Sequence, residues 1–187
     1  MATPGARDRI QRAAVELMAK RGVVGTTTQD IAKRAKCSQA AIYKYWDSKE
    51  ALAHERFDDA HTRLIEDMEA RVALGPNPSG RVLGGLLGLL GFARAYPAEY
   101  AFLFQVFHSD HALWLSSHAK PRDIVLRELR GAIEAGDIPE GNPELKTALL
   151  LGMAIRLAFF ERQKLVPATP GNQDEGFVQA VAAVLEN

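Results

Sequence analysis

Cysteine is nearly absent from this 187-residue chain, which has only Cys37. No intramolecular disulfide can form, so a stapled secreted fold is excluded and a reducing compartment is expected. Long apolar runs are missing as well. Uncharged stretches such as Val82 to Ala93 and Thr147 to Ile155 fall well short of the about 20 residues that cross a bilayer. The opening MATPGARDRI meets charge within seven residues and has no apolar h-region, so no secretory signal is read and a cytoplasmic location without membrane attachment is expected. Alternating strand patterns joined by hairpin turns, internal repeats and low-complexity tracts are also lacking. There is no nucleophile elbow, phosphate loop or paired-carboxylate motif, so neither an enzyme nor a cofactor is expected. His108, His111 and His118 with Asp110 suggest a metal, but no fourth ligand or metal-typical spacing completes the set, and no metal is expected.

Charge of one sign is absent overall, with 23 Lys/Arg against 23 Asp/Glu, yet its distribution is uneven. Residues 1–50 carry ten basic and five acidic side chains, leaving thirteen and eighteen for the remainder. A basic end on an acidic body is the asymmetry of a nucleic-acid-binding module attached to a scaffold. A composition of 47% hydrophobic and 25% charged residues is enough to bury a real core.

Helical periodicity dominates what is present. Ile10, Ala14, Leu17 and Met18 form one apolar stripe that ends at Gly22, the pattern of a first helix. Thr27 with Asp30 makes a capping box for a short second helix that turns Ile31, Ala32 and Ala35 inward. Ser38 caps a third helix through Tyr45, and Asp47 with Glu50 caps a fourth that runs to about Ala73. Turn-rich breaks at 75–80, 116–121, 136–143 and 167–172 separate further helix-length segments. The fold expected is all-α, with nine or ten helices.

Aromatics are sparse, with two Trp, four Tyr and eight Phe, yet Tyr43, Tyr45 and Trp46 fall within four positions, interleaved with Lys44 and Lys49. Such rings beside cations suggest a surface built for a partner. The second and third helices, joined by a tight turn, make a helix-turn-helix in which the third helix reads bases and the second braces it across the backbone. Gln39 and Lys44 are its base readers, Gln39 for an adenine edge and Lys44 for guanine or a phosphate, while Ala40 and Ala41 keep the surface low and Ile42 turns to the core. Tyr43, Tyr45 and Lys49 lie at phosphate height. The partner expected is double-stranded DNA.

The stretch TTTQDIAKRAKCSQAAIYKYWDSKEAL resembles the pattern T-T-x-x-I-A-x-x-A-G-V-S-x-G-x-x-Y-x-Y-F-x-s-K-x-x-L of the TetR family of bacterial transcriptional regulators. The match runs from about Arg9 to Leu52 and includes Thr28, Ile31, Ala32, Ala35, Ser38, Tyr43, Tyr45, Lys49 and Leu52. The resemblance implies that Thr28, Ser38, Tyr43, Tyr45 and Lys49 anchor phosphates and that Gln39, Ala40, Ala41 and Lys44 face bases. Three positions depart from the pattern. Lys36 replaces the turn glycine, which puts a side chain in the left-handed region at about 1 kcal/mol and places it where DNA contact would offset that. Ala40 replaces a glycine, and Trp46 a phenylalanine.

The domains expected are a helix-turn-helix domain over 1–47 and a helical regulatory domain over 48–187, which holds an effector and dimerises. Aromatics concentrate in the middle of the body. His61, Leu64, Met68, Phe92, Tyr96, Tyr100, Phe104, Phe107 and Trp114 are the candidate lining of an effector pocket, with core packing as the alternative. The helix 145–160 is apolar nearly all round, so something beyond its own domain should cover it. Leu149, Gly152, Arg156 and Phe160, with Phe177, Val181 and Leu185 of the last helix, are the candidate homodimer interface. Gly84, Gly88 and Gly91 share a face within 82–93, for which tight crossing against the fourth helix is weighed above ligand-dependent pliability. Cys37 is read as packing.

The function expected is a homodimeric repressor released from a two-fold operator by a small apolar or amphipathic effector. The alternatives are an all-α small-molecule-binding or catalytic protein with a scaffold helix-turn-helix, and a DNA-binding structural protein controlled by a protein partner.

Overall fold

A computed structural model describes residues 5–107, 119–166 and 172–186. Among them are nine α-helices and no strand: α1 Ala6–Arg21, α2 Thr28–Ala35, α3 Gln39–Tyr43, α4 Lys49–Val72, α5 Pro78–Ala95, α6 Pro97–Phe107, α7 Pro121–Glu134, α8 Pro143–Arg162 and α9 Asn172–Glu186. Packing divides the chain into two compact units, residues 1–63 with 96–118 and residues 64–95 with 119–187.

In the first unit α1 supplies the stripe on which the others close. Its Ile10, Ala14 and Met18 are fully buried, and α1 packs against α2, α3 and α6. Ile31 of α2, Ile42 of α3, Leu52 and Phe57 of α4 and Phe102 of α6 complete this core, each fully buried large side chain contributing roughly 1.5–3 kcal/mol. The predicted capping box forms at the start of α2, where the Thr27 hydroxyl accepts from the Asp30 amide at 3.1 Å and the Asp30 carboxylate accepts from the Thr27 amide at 3.3 Å. The cap of α4 is Ser48, not the expected Asp47: its hydroxyl accepts from the Ala51 amide at 3.0 Å. Third-helix geometry ends at Tyr43, two residues before the expected Tyr45.

In the second unit, α5 packs against α7, α8 and α9, and its glycines are explained by its crossing with α4. A β-carbon on Gly84 would stand 2.4 Å from the Arg71 carbonyl oxygen, and one on Gly88 would stand 2.6 Å from the Met68 α-carbon. Only hydrogen fits at either position, so these two residues set the closeness of the crossing. Gly91 differs, because nothing lies within 4 Å of its missing β-carbon. Charged side chains reinforce the unit. Arg127 of α7 donates from both terminal nitrogens to Glu69, at 2.9 and 2.8 Å, and from Nε to Glu128 at 2.7 Å, while Arg81 donates to Glu128 at 2.9 Å. The hydrogen bond from Arg127 holds the Glu69 carboxyl below its ordinary range, against the opposing effect of burial.

Candidate nucleic-acid interface

The turn between α2 and α3 positions the site. Lys36 takes the left-handed conformation, φ 54° and ψ 52°, as its place in the turn predicts. The chain reverses there, and the Cys37 amide returns to the Ala32 carbonyl at 3.0 Å. Ser38 starts α3 by accepting from the Ala41 amide at 3.2 Å, which uses the hydroxyl oxygen and leaves its O–H to point elsewhere. Cys37 is half-buried in this turn, in keeping with a packing role.

Buried Ile42 pegs α3 to the unit, and its other face is open. Gln39, Ala40 and Lys44 are exposed, Ala41 is half-buried, and Tyr43 and Tyr45 are 52% and 42% exposed. The side chains of Lys36, Gln39 and Lys44 have no hydrogen-bond or ion-pair partner among the described residues. Cations, an amide and phenol hydroxyls without a hydrogen-bond partner among the described residues flank the exposed Ala40 and half-buried Ala41. Phosphates take cations and hydroxyls, and base edges take amides, so this surface has the donors and acceptors that both need.

Two residues of the motif are placed differently. Trp46, expected among the surface rings, is only 5% exposed, and its indole N–H donates to Glu55 at 2.8 Å. Lys49 directs its ammonium into the protein, donating to the Val23 carbonyl at 2.8 Å and pairing with Glu50 at 3.4 Å. It thus ties the start of α4 to the α1–α2 loop. Thr28 is half-buried in the first turn of α2.

Sequence reasoning missed the group behind this surface. Glu55 on α4 accepts from Trp46, from Gln11 at 3.0 Å, from Arg7 at 3.1 Å and from Arg56 at 2.9 Å. Burial alone would push its carboxyl up; the hydrogen bonds from Trp46 and Gln11 and the charges of Arg56 and Arg7 outweigh that and hold it below the ordinary range. The one available signal was the indole nitrogen that Trp46 brings to a position where the family pattern has phenylalanine.

Residues 10–55 match the sequence model of the bacterial regulatory proteins of the tetR family. The stretch from α1 to the start of α4 is thus similar to that family. It is 34% identical over 97 residues to an uncharacterized HTH-type transcriptional regulator of Mycobacterium tuberculosis, a match covering 52% of this chain and 48% of that one. It thus spans about half the length of that curated relative. The fold extends much further than the sequence match. A TetR family transcription regulator from Marinobacter aquaeolei has a TM-score of 0.77 at 20% identity, covering 97% of this chain and 96% of that one. A putative transcriptional regulator from Streptomyces coelicolor has a TM-score of 0.71 at 25% identity, covering 96% and 97%. The all-helical architecture with an N-terminal helix-turn-helix is therefore a fold that these two regulators share.

Other expected sites are placed as follows. Of the candidate pocket residues, His61, Tyr96, Tyr100 and Phe104 lie in the first unit and Leu64, Met68 and Phe92 in the second. His61 is buried and stacks on Phe57 at 5.4 Å, and Tyr100 stacks on Phe104 at 6.3 Å. Tyr96, by contrast, is an exposed ring with the Arg63 guanidinium 4.8 Å from its centre. Phe92 is fully buried, and Gly88, Gly91 and Leu74 join it around a cleft of about 280 Å³. The Phe107 side chain and Trp114, with His108, Asp110, His111 and His118, lie outside the described residues.

The candidate interface divides in two. On α8, Leu149 is 50% exposed, Gly152 and Arg156 are exposed and Phe160 is half-buried, and Leu145 extends the same open face. The α9 stripe is a correction. Phe177, Val181 and Leu185 are buried in their own unit, Val181 to 1% exposure, because α9 uses that stripe to close on α8 and α5. Buried Lys146 of α8 then donates to the Leu185 carbonyl at 3.0 Å, which satisfies the end of α9. No helix of the described residues is long and apolar enough to cross a membrane.

Proposed function

We propose that this protein is a homodimeric transcriptional repressor that grips a two-fold operator through α3 and releases it when a small apolar or amphipathic effector binds the helical body. The observation that carries the DNA-binding reading is the exposed set Lys36, Gln39, Tyr43, Lys44 and Tyr45, without hydrogen-bond partners among the described residues, around the alanine-lined face of α3. Gln39 and Lys44 read bases there, and Thr28, Ser38, Tyr43 and Tyr45 hold phosphates.

Dimerisation is supported by the open face of α8, where Leu145 and Leu149 are 57% and 50% exposed beside Gly152. Water-facing leucines one turn apart on an otherwise apolar helix are better explained by a covering partner than by a monomer surface. Two copies joined there would carry two α3 helices for two half-sites. The effector is drawn to the aromatic segment of α6, buried Tyr100 and half-buried Phe104, with buried His61 as a polar point. To empty an operator from 99:1 to 1:99 it must prefer the released conformation by about 10⁴-fold.

The test is selection of bound duplexes from random DNA by the full chain, followed by titration of the selected duplex at several salt concentrations. A two-fold consensus with binding that weakens steeply as salt rises is the expected result. Failure to enrich any sequence, with no salt-dependent binding to random duplex, would overturn the reading.

A further inference from the structure

Resting on the DNA-binding reading above, the geometry points to Glu55 as a positioning residue for base recognition, one that sets the tilt of α3 by holding the indole of Trp46. The main chain makes Trp46 an extension of α3, since its amide and that of Tyr45 both donate to the Ile42 carbonyl, at 3.1 and 2.9 Å. A constraint on the Trp46 ring is therefore a constraint on the helix that carries Gln39 and Lys44. The ring sits beneath the surface, with Tyr45 tilted against it at 5.5 Å and the Arg7 guanidinium 5.7 Å from its centre.

The two oxygens of Glu55 divide the work. Oε2 accepts from Trp46, on the side of the recognition helix, at 2.8 Å. Oε1 accepts from Gln11 and Arg7 of α1 and from Arg56 of α4, at 3.0, 3.1 and 2.9 Å. Four donors thus converge on one carboxylate, three on Oε1 and one on Oε2, and together they hold it in this rotamer. Glutamine cannot substitute, because its NH₂ group would face one set of donors whichever way the amide turned. Phenylalanine at 46 would fill the space but would have no N–H to be held by.

Such a hub acts on sequence preference more than on grip. Lysine and tyrosine ends reaching for phosphates follow a small tilt of the helix, whereas a bidentate side chain on a base edge loses its geometry. The experiment uses the full chain as wild type, Trp46→Phe, Glu55→Gln and the double variant. The probes are a duplex selected from random DNA by the wild type and a shuffled duplex of the same composition. Each single variant is expected to lower the selected-over-shuffled affinity ratio by about tenfold, the scale of one charge-assisted hydrogen bond. The double variant should lose no more than the worse single one, because both act through one bond. Affinity for the shuffled duplex and its salt slope should stay at wild type. Glu69→Gln, which breaks the ion pair with Arg127 in the other unit, should leave the ratio unchanged.

A ratio unchanged in both single variants, additive losses in the double, or equal losses on both duplexes that track melting temperature would each overturn the proposal. If Glu55→Gln fails to fold, Trp46→Phe decides alone, since it restores the residue of the family pattern. A wild type that binds neither duplex overturns the DNA-binding reading itself. A wild type that discriminates while its variants discriminate equally overturns only the role of Glu55.

Discussion

One substitution made at two positions of α5 should have opposite effects. Replacing glycine by alanine inside a helix is favourable by roughly 0.5–1 kcal/mol from backbone entropy alone. At Gly91 nothing lies within 4 Å of the new β-carbon, so Gly91→Ala should realise that gain. At Gly88 the same β-carbon would stand 2.6 Å from the Met68 α-carbon and 2.8 Å from the Asp67 carbonyl oxygen. These are main-chain atoms of α4, which cannot turn aside as a side chain would, so the two helices must separate. Overpacking of this kind costs about 1–3 kcal/mol, which exceeds the propensity gain and makes Gly88→Ala a net loss of about 1–2 kcal/mol. For a chain of this size 1 kcal/mol moves the melting temperature by roughly 2–4 °C. Gly91→Ala should thus melt about 1–4 °C above wild type, and Gly88→Ala about 2–8 °C below it. Thermal unfolding followed by circular dichroism reads both. Equal stability in the two variants would refute the close-crossing account and return the glycines to the pliability reading.

The proposed interface makes a second contrast. Leu149→Glu, on the open face of α8, should yield folded monomers in sedimentation, whereas Val181→Glu buries a charge in the core and should unfold the chain by about 3 kcal/mol or more; monomers from the second with a wild-type melt would reverse the assignment. On DNA, Lys44→Ala and Gln39→Ala, both at base readers, should each weaken the selected duplex by roughly 1–3 kcal/mol per half-site, Gln39→Ala while sparing random DNA. Equal losses on both duplexes for Gln39→Ala would remove it from the base readers. The acid limb tests Glu55. Because its folded carboxyl titrates below its ordinary value, its stabilisation is fully present above the unfolded value near 4.5 and is lost as pH falls through the lower folded one. The stability gap between wild type and Glu55→Gln should therefore narrow progressively as pH falls below 4.5, and a gap that stays constant down the whole acid limb would show that the carboxylate charge plays no part.

Much of the proposed recognition surface was legible because it depends on local rules. The capping box at Thr27 and Asp30, the left-handed Lys36 and the Ser38 cap each follow from residues within three or four positions of one another, where the chemistry of the sequence is also the geometry of the structure. Reading α4 as capped by Asp47 failed by one position because Asp47 and Ser48 are both competent caps, and the choice between them rests on where α4 packs. Ring and charge composition misled at Trp46 and Lys49. Both have the residue types of a DNA surface, but an indole nine positions before a glutamate and a lysine opposite a loop carbonyl find partners that no short-range pattern relates.

The sequence by itself determined the helical class, the punctuation between helices and the helix-turn-helix, since caps, turns and apolar periods act over one or two turns. Tertiary structure alone decided which apolar stripes are spent inside and which are left open. α8 carries leucine, isoleucine and phenylalanine at helical spacing and α9 phenylalanine, valine and leucine, and periodicity treats them alike. Once α9 has closed its Phe177, Val181 and Leu185 stripe over its own unit, the water-facing leucines left on these two helices are those of α8, Leu145 and Leu149. Likewise, that Gly88 is a contact and Gly91 an opening depends on where α4 passes. A helical period specifies the direction a residue faces, and only the packed neighbours specify what it meets there.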